Sequence, residues 1–145
     1  MPIIDLNECP CSGKNISTLV APWILLTLYQ HEGSHGYEIQ KIILGQLQEL
    51  GFGLNMGGLY RHLNILEKRG VLTSTWDTSA PGPARRNYFL TEAGKECLWR
   101  WMRTLSIHVT LIGKFMDEAQ RVFSNAILPK VMLTPDLPLA SKDPL

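Results

Sequence analysis

Apolar residues recur at helical spacing in three segments of the first half of this chain. Residues 22–29 are apolar on nearly every side, which predicts a helix buried by several neighbours. Residues 36–47 carry a looser apolar stripe, and a break at 51–53 follows them. The third segment begins after Asn55, a favourable N-cap, and ends at Gly70, a favourable residue just past a helix. Its inward face is formed by Leu59, Leu63 and Leu66.

Two shorter segments with β-strand character come next, residues 71–76 and 86–91. Residues 77–84 between them are rich in proline, glycine and serine, which favour turns. Three short helices followed by a β-hairpin is the order of elements in a winged helix-turn-helix. The hairpin loop would then form the wing.

The most regular periodicity lies in the last predicted helix, which begins after the N-cap Thr91 and extends to about residue 127. Three interleaved apolar series repeat there every seven positions, as in a coiled coil. Such a helix is about 55 Å long at about 1.5 Å per residue, so a domain of this size cannot bury its apolar face alone. We therefore expect a homodimer. The expected interface residues are Leu98, Trp101, Met102, Leu105, Val109, Ile112, Phe115, Met116 and Val122.

The predicted fold class is mainly α (α+β), a winged helix-turn-helix with a long C-terminal dimerisation helix. We expect an irregular N-terminal arm at residues 1–21 and the winged domain at 22–91. The dimerisation helix should occupy 92–128, and an irregular, proline-containing tail should occupy 129–145.

Composition narrows the location of the protein more than its activity. No apolar run approaches the roughly 20 residues of a membrane span. Asp5 and Glu8 stand where a signal peptide carries positive charge, so we expect a cytoplasmic protein. Cys9, Cys11 and Cys97 give no disulfide framework, and no second cysteine or histidine pair completes a metal site with the first two. Neither a metal nor a cofactor is expected.

The net charge of +1 gives no reason to expect nucleic acid, but the charges are unevenly distributed. Residues 55–90 contain five basic residues and two acidic ones, whereas residues 1–35 carry an acidic excess. A basic centre is typical of a small DNA-binding surface, and also of an ordinary solvated one. Charge alone therefore decides little.

The third helix and the hairpin carry the residues that favour DNA as the partner. If the leucine face packs inward, the opposite face presents asparagine, arginine and tyrosine side chains suited to base edges and phosphates. Two glycines at the helix start would let its amides approach a phosphate closely. Arg85 and Arg86 stand where a wing tracks a phosphate strand or enters the minor groove. The expected DNA-binding residues are Asn55, Gly57, Gly58, Tyr60, Arg61, Asn64, Lys68, Arg85 and Arg86. The alternative is an amphipathic helix with a solvated face beside two exposed arginines.

Three motifs resemble those of the PadR family of transcriptional regulators. They are HGYEI at 35–39, GLYRHL with LEKRG at 58–70, and RRNYFLTEAG at 85–94. They occur in family order and spacing, and the resemblance covers about residues 20–105. Residues 76–79 with 82–86 look most like the branch named as poly-β-hydroxybutyrate-responsive repressors.

The resemblance implies a homodimer in which the C-terminal helices pack together and contact the partner's first helix. It implies that the third helix enters the major groove of a pseudo-palindromic operator in double-stranded DNA, with Tyr60 on the DNA backbone. It also implies a repressor that a small apolar or phenolic effector releases. Arg61 departs from the family, because many members have proline there, and makes the groove-facing surface more basic. The candidate effector-pocket residues are Trp23, Trp101, Met102, Phe115 and Met116, whose alternative role is interface core.

Two other classes of function compete with this interpretation. The chain shows no nucleophile–base pair, phosphate-binding loop or paired carboxylates, so an enzyme is not expected. A winged helix can also serve as a protein–protein interaction module without binding DNA, and this remains the alternative.

Overall fold

The computed structural model describes residues 5–7, 9–12, 19–48 and 55–123. Within them, four α-helices and two strands follow one another in the predicted order, after a 3-10 turn at Pro10–Ser12. The helices are α1 (Val20–Gln30), α2 (Gly36–Leu47), α3 (Met56–Lys68) and α4 (Glu92–Val122), and the strands are β1 (Leu72–Asp77) and β2 (Arg85–Leu90). The mainly helical winged fold predicted from the sequence is confirmed.

Several predicted features fall outside the described residues. They are the break at 51–53, the tail at 129–145, the last residues of the long helix (124–127) and much of the arm at 1–21. Among the features that are described, boundaries move by one or two residues. For example, α1 begins at Val20, so Pro22 occupies its third position. This placement is tolerated because first-turn amides have no partner within the helix.

The hydrophobic core lies where α1, α2 and α3 meet the inner face of the hairpin. Leu59, Leu63 and Leu66 are buried in it, as predicted. Leu98 of α4 is only 3% exposed and packs in the same core. It was expected in the dimer interface, and the structure corrects this assignment because the side chain is already covered by its own subunit.

The hairpin is antiparallel, and the middle of β2 is hydrogen-bonded to the segment before α2. Leu72 pairs with Leu90 at the base, and Asp77 pairs with Arg85 at the far end. The backbone carbonyl of Tyr88 in β2 accepts a hydrogen bond from Gly33 N at 2.9 Å, and the backbone N–H of Tyr88 donates one to Ser34 O at 3.1 Å. These hydrogen bonds fix the hairpin to the helix-turn-helix.

The start of α4 is fixed by Thr91. Its hydroxyl accepts a hydrogen bond from Gly94 N at 3.0 Å and donates one to Gly70 O at 2.7 Å. The predicted N-cap is thus confirmed, and it also joins α4 to the end of α3. The helix has 31 residues and is about 46 Å long at about 1.5 Å per residue. No helix among the described residues is long and apolar enough to cross a membrane.

Candidate nucleic-acid interface

The outward face of α3 is exposed over its whole length. Tyr60, Arg61, Asn64 and Lys68 all lie on it, opposite the buried leucines. Tyr60 is 42% exposed although its ring is large and apolar. The arrangement predicted for this helix is therefore present, and a row of potential hydrogen-bond donors faces solvent.

The N-terminus of α3 differs from the expectation in one respect. Asn55 caps it, because the Asn55 Oδ1 atom accepts a hydrogen bond from Gly58 N at 2.6 Å. A Cβ atom on Gly58 would lie 3.1 Å from the same Oδ1. The Gly58 amide thus has a partner within the protein and is not available to a phosphate, which corrects the role expected for it.

Tyr60 lies across the start of α2. A Cβ atom on Gly36 would come within 2.7 Å of the Tyr60 hydroxyl, so a larger residue there would displace the ring from this position. His35, which precedes Gly36, provides no side-chain cap for α2. Instead its ring bridges Glu38, at 2.8 Å from Nε2, and Asn87 of β2, at 3.0 Å from Nδ1. The start of α2 is therefore tied to both α3 and the hairpin.

A cleft of about 660 Å³ opens between the start of α2, the exposed face of α3 and the hairpin. It brings together four of the predicted DNA-binding residues, Tyr60, Asn64, Arg85 and Arg86. The other five do not line this cleft. Lys68 instead lines a neighbouring cavity of about 250 Å³ with Asn64, Glu67 and Arg86.

The cleft also contains aromatic residues that the sequence-based prediction missed. Tyr37 is 66% exposed and Trp76 is 65% exposed, and both line the cleft with Tyr60. Tyr37 lies in the HGYEI motif, and Trp76 is an aromatic residue that follows three polar ones in β1. Large exposed aromatic rings grouped beside a basic side chain are unusual on a solvated surface and typical of a binding surface.

The two adjacent arginines of the wing point to opposite faces of the hairpin, as neighbours in a strand must. Arg85 is exposed, and the ion pairs among the described residues do not include it. Arg86 faces α3 and forms an ion pair with Glu67 at 2.9 Å. It lies over the ring of buried Tyr88, and burial raises the pKa of the Tyr88 hydroxyl. The expectation that both arginines project toward DNA therefore fits Arg85 better than Arg86.

The loop that joins the strands is held at its start by Asp77. Its Oδ1 atom accepts hydrogen bonds from the Ser79 amide at 2.9 Å and from the Ser79 hydroxyl at 2.5 Å. These hydrogen bonds lower the pKa of the Asp77 carboxyl. Gly82 has a φ of 111°, a conformation that other residues rarely adopt. The wing thus has a defined turn beside Arg85.

A second surface of note is apolar and lies along α4. Four of the predicted interface residues are exposed there, namely Met102 (44%), Ile112 (60%), Phe115 (69%) and Val122 (75%). Trp101, Leu105, Val109 and Met116 are partly buried. Ile107, Leu111 and Phe123 are also exposed on or next to α4 and were not among the predicted residues.

An apolar groove of about 300 Å³ lies between α1 and the first turns of α4. It contains three of the five candidate effector residues, Trp23, Trp101 and Met102. Phe115 and Met116 do not line it. They are more than three helical turns further along α4, or about 20 Å from Met102 at about 1.5 Å per residue. The predicted five-residue pocket is thus not formed within one subunit.

The transcriptional regulator PadR-like family is the family whose model matches this chain, over residues 24–100. No curated protein sequence matches this chain.

Solved structures share the fold. A transcriptional regulator from Clostridium thermocellum is 28% identical with a TM-score of 0.59, and the match covers 69% of this chain and 97% of that one. A PadR family regulator from Eggerthella lenta is 26% identical with a TM-score of 0.53, over 64% of this chain and 80% of that one. A conserved protein described as a potential transcriptional factor is 33% identical with a TM-score of 0.58, and the match covers 72% of this chain and 90% of that one.

Proposed function

Because this chain belongs to the PadR-like family of transcriptional regulators, we propose that it is a homodimeric, sequence-specific repressor that binds a pseudo-palindromic operator. The observation that carries this proposal is the cleft between α2, α3 and the hairpin, which joins the polar face of α3 to Arg85 of the wing. Since the family consists of transcriptional regulators, the protein is not an enzyme. As a regulator of chromosomal DNA it would act in the cytoplasm.

In the proposed complex α3 enters the major groove of DNA. Arg61 and Asn64 are exposed on its outward face, so their side chains are free to reach base edges. Tyr60 and Lys68 flank them and would contact the phosphate backbone. Arg85 would follow a phosphate strand or enter the minor groove beside the wing. The cleft between them would receive one sugar–phosphate strand.

The dimer is supported by the apolar stripe of α4. Several large side chains are more than half exposed along one helix in the isolated subunit. An exposed apolar surface of this kind marks an interaction site. The same helix from a second chain is the simplest partner, because a two-fold axis would place each stripe against its copy.

The repressor would be released by a small apolar or phenolic effector bound in the groove between α1 and α4. Trp23, Trp101 and Met102 supply flat and adaptable apolar walls for such a ligand. Titration with a phenolic compound should then change the tryptophan fluorescence. Trp23→Leu should reduce the change and leave only the response of Trp101, whereas Trp76→Leu, on the hairpin, should preserve it. An equal response in both variants would show that the ligand binds elsewhere.

The DNA-binding proposal is tested by selecting bound sites from a random duplex pool. We expect a recovered sequence with two-fold symmetry, since each subunit reads one half-site. Binding to that site should weaken steeply as salt concentration rises. Salt-insensitive binding to a protein partner, with none to duplex DNA, would favour the alternative of a protein–protein module.

Arg61→Ala should relax the sequence preference at one position of each half-site. A bidentate arginine contact to guanine discriminates by about 1–3 kcal/mol, so the preferred base should lose roughly five- to 150-fold of its advantage. Arg69→Ala is the matched control, because Arg69 is an exposed arginine one residue past the end of α3, more than two helical turns from Arg61. The assignment of Arg61 would be wrong if both variants kept the selected consensus.

A further inference from the structure

Arg86 is the centre of a hydrogen-bonded network that joins three elements. Its Nε atom donates to Ser74 Oγ at 2.8 Å, and its Nη2 atom donates to Glu67 Oε2 at 2.9 Å. Ser74 Oγ in turn donates to Glu67 Oε1 at 2.6 Å. Glu67 lies on α3, Ser74 on β1 and Arg86 on β2, so the ring closes between the recognition helix and both strands of the wing. We call these three residues the Arg86 network.

The guanidinium of Arg86 is paired and also lies beside two aromatic rings. It lies 5.6 Å from the centre of the Trp76 ring and 5.7 Å from that of Tyr88. The side chains of Arg86 and Glu67 are 34% and 26% exposed. An arginine binds a phosphate bidentately with two N–H groups on one edge. In Arg86 the edge formed by Nε and Nη2 is already used by Ser74 and Glu67, so a phosphate could be bound only through the other edge, which includes Nη1.

We propose that Arg86 is a positioning residue, which sets the wing at a fixed angle to α3 and does not itself contact DNA. The inference rests on the proposed DNA-binding function and changes how the basic wing is interpreted. Arg85, on the opposite face of the same strand, supplies the charge to the DNA, whereas the charge of Arg86 is balanced by Glu67. The network accounts for the presence of an acidic residue on the recognition helix.

The positioning role can be measured without DNA. Hydrogen exchange of the β1 and β2 amides in the full-length protein should become roughly two- to fivefold faster in Arg86→Gln and Glu67→Gln, the range expected for a partly exposed ion pair. Arg86→Lys should have the same effect, because lysine cannot make the two parallel contacts. Arg85→Gln is the matched control and should leave exchange unchanged. Equal exchange in the Arg85 and Arg86 variants would overturn the proposal.

The second measurement is the salt dependence of binding to a labelled mixed-sequence duplex. The slope of log K against log salt counts phosphate contacts at about 0.9 each. We expect Arg85→Gln to lower the slope by about 0.9 per subunit, or about 1.8 for the dimer. Arg86→Gln should leave the slope unchanged while weakening affinity roughly two- to fivefold. Glu67→Gln should weaken binding equally, although it removes a negative charge that would repel DNA. The double variant Arg86→Gln/Glu67→Gln should bind the duplex no more weakly than either of the two single variants.

A phosphate contact by Arg86 would give the opposite pattern. Arg86→Gln would then lower the slope, Arg86→Lys would keep it, and Glu67→Gln would tighten binding. That result would overturn the proposal. Should Arg86→Gln fail to fold, Ser74→Ala removes one member of the network, keeps both charges and gives the same two readouts. A wild-type protein that binds no duplex would refute the proposed function, and the exchange measurement would still decide whether the network positions the wing.

Discussion

Phe115→Glu is expected to convert the protein from a dimer to a monomer. Phe115 is 69% exposed in the isolated subunit and lies in the middle of the apolar stripe of α4. If that stripe is the interface, a carboxylate there must be buried without a partner, which costs several kcal/mol. Because a two-fold axis relates the subunits, both of them would bring a carboxylate into the same interface. The monomer should appear in sedimentation velocity at concentrations where the wild type is a dimer.

The matched control is Gln120→Glu, which adds the same charge to an exposed polar position of the same helix. It should leave the dimer intact. A dimer that survives Phe115→Glu would show that the subunits associate through another surface. The groove between α1 and the start of α4 would be the next surface to test.

The same variant has a consequence for DNA. A dimer binds its second half-site as an intramolecular event, which strengthens overall binding by roughly 10²- to 10⁴-fold. Phe115→Glu should therefore weaken operator binding by about a hundredfold or more, although the residue is far from α3. Binding to an isolated half-site should be unchanged, and a loss there would indicate damage to the winged domain itself.

The local features of the fold could be predicted because their causes are local. Asn55 and Thr91 cap the helices that were predicted to follow them, since an N-cap interacts with an amide only three residues away. The buried leucines of α3 follow from its helical period alone. The length of α4 was likewise visible as a sustained heptad repeat.

The features that were missed depend on contacts between distant segments. Strand alternation already implies that Arg85 and Arg86 point to opposite faces, but only the fold shows that Glu67 lies beside one of them. Similarly, Leu98 belongs to the heptad series, yet the first turns of α4 pack on the winged domain, so the seam begins further along. Periodicity identifies an apolar face without saying which neighbour covers it.

The effector pocket shows the same limit in another form. Trp23 and Met102 meet in one groove because α1 crosses the start of α4. Phe115 shares their chemistry but is separated from them by the rise of the helix. The prediction grouped these side chains because they share an apolar chemistry, but the helix holds them far apart within one subunit.

Gly94→Ala is expected to destabilise the winged domain strongly. Gly94 is buried at the point where α4 crosses the hairpin base, and a Cβ atom there would overlap the carbonyl oxygen of Val71. It would also lie 2.7 Å from Leu90 Cδ1. A backbone oxygen cannot move away by a side-chain rotation, so α4 must shift from its position against the hairpin. Overpacking of this kind costs about 3 kcal/mol or more.

The loss is best measured by urea unfolding in the Phe115→Glu background, because the stability of a dimer depends on protein concentration. Gly45→Ala is the control: this glycine lies in α2, and a methyl group added there would meet no atom of another element within 4 Å. There alanine should stabilise the helix by up to about 1 kcal/mol. The two glycine-to-alanine changes should thus have opposite signs. Equal midpoints would mean that α4 does not approach β1 as closely as the fold requires, and that the geometry linking the dimer helix to the wing is different.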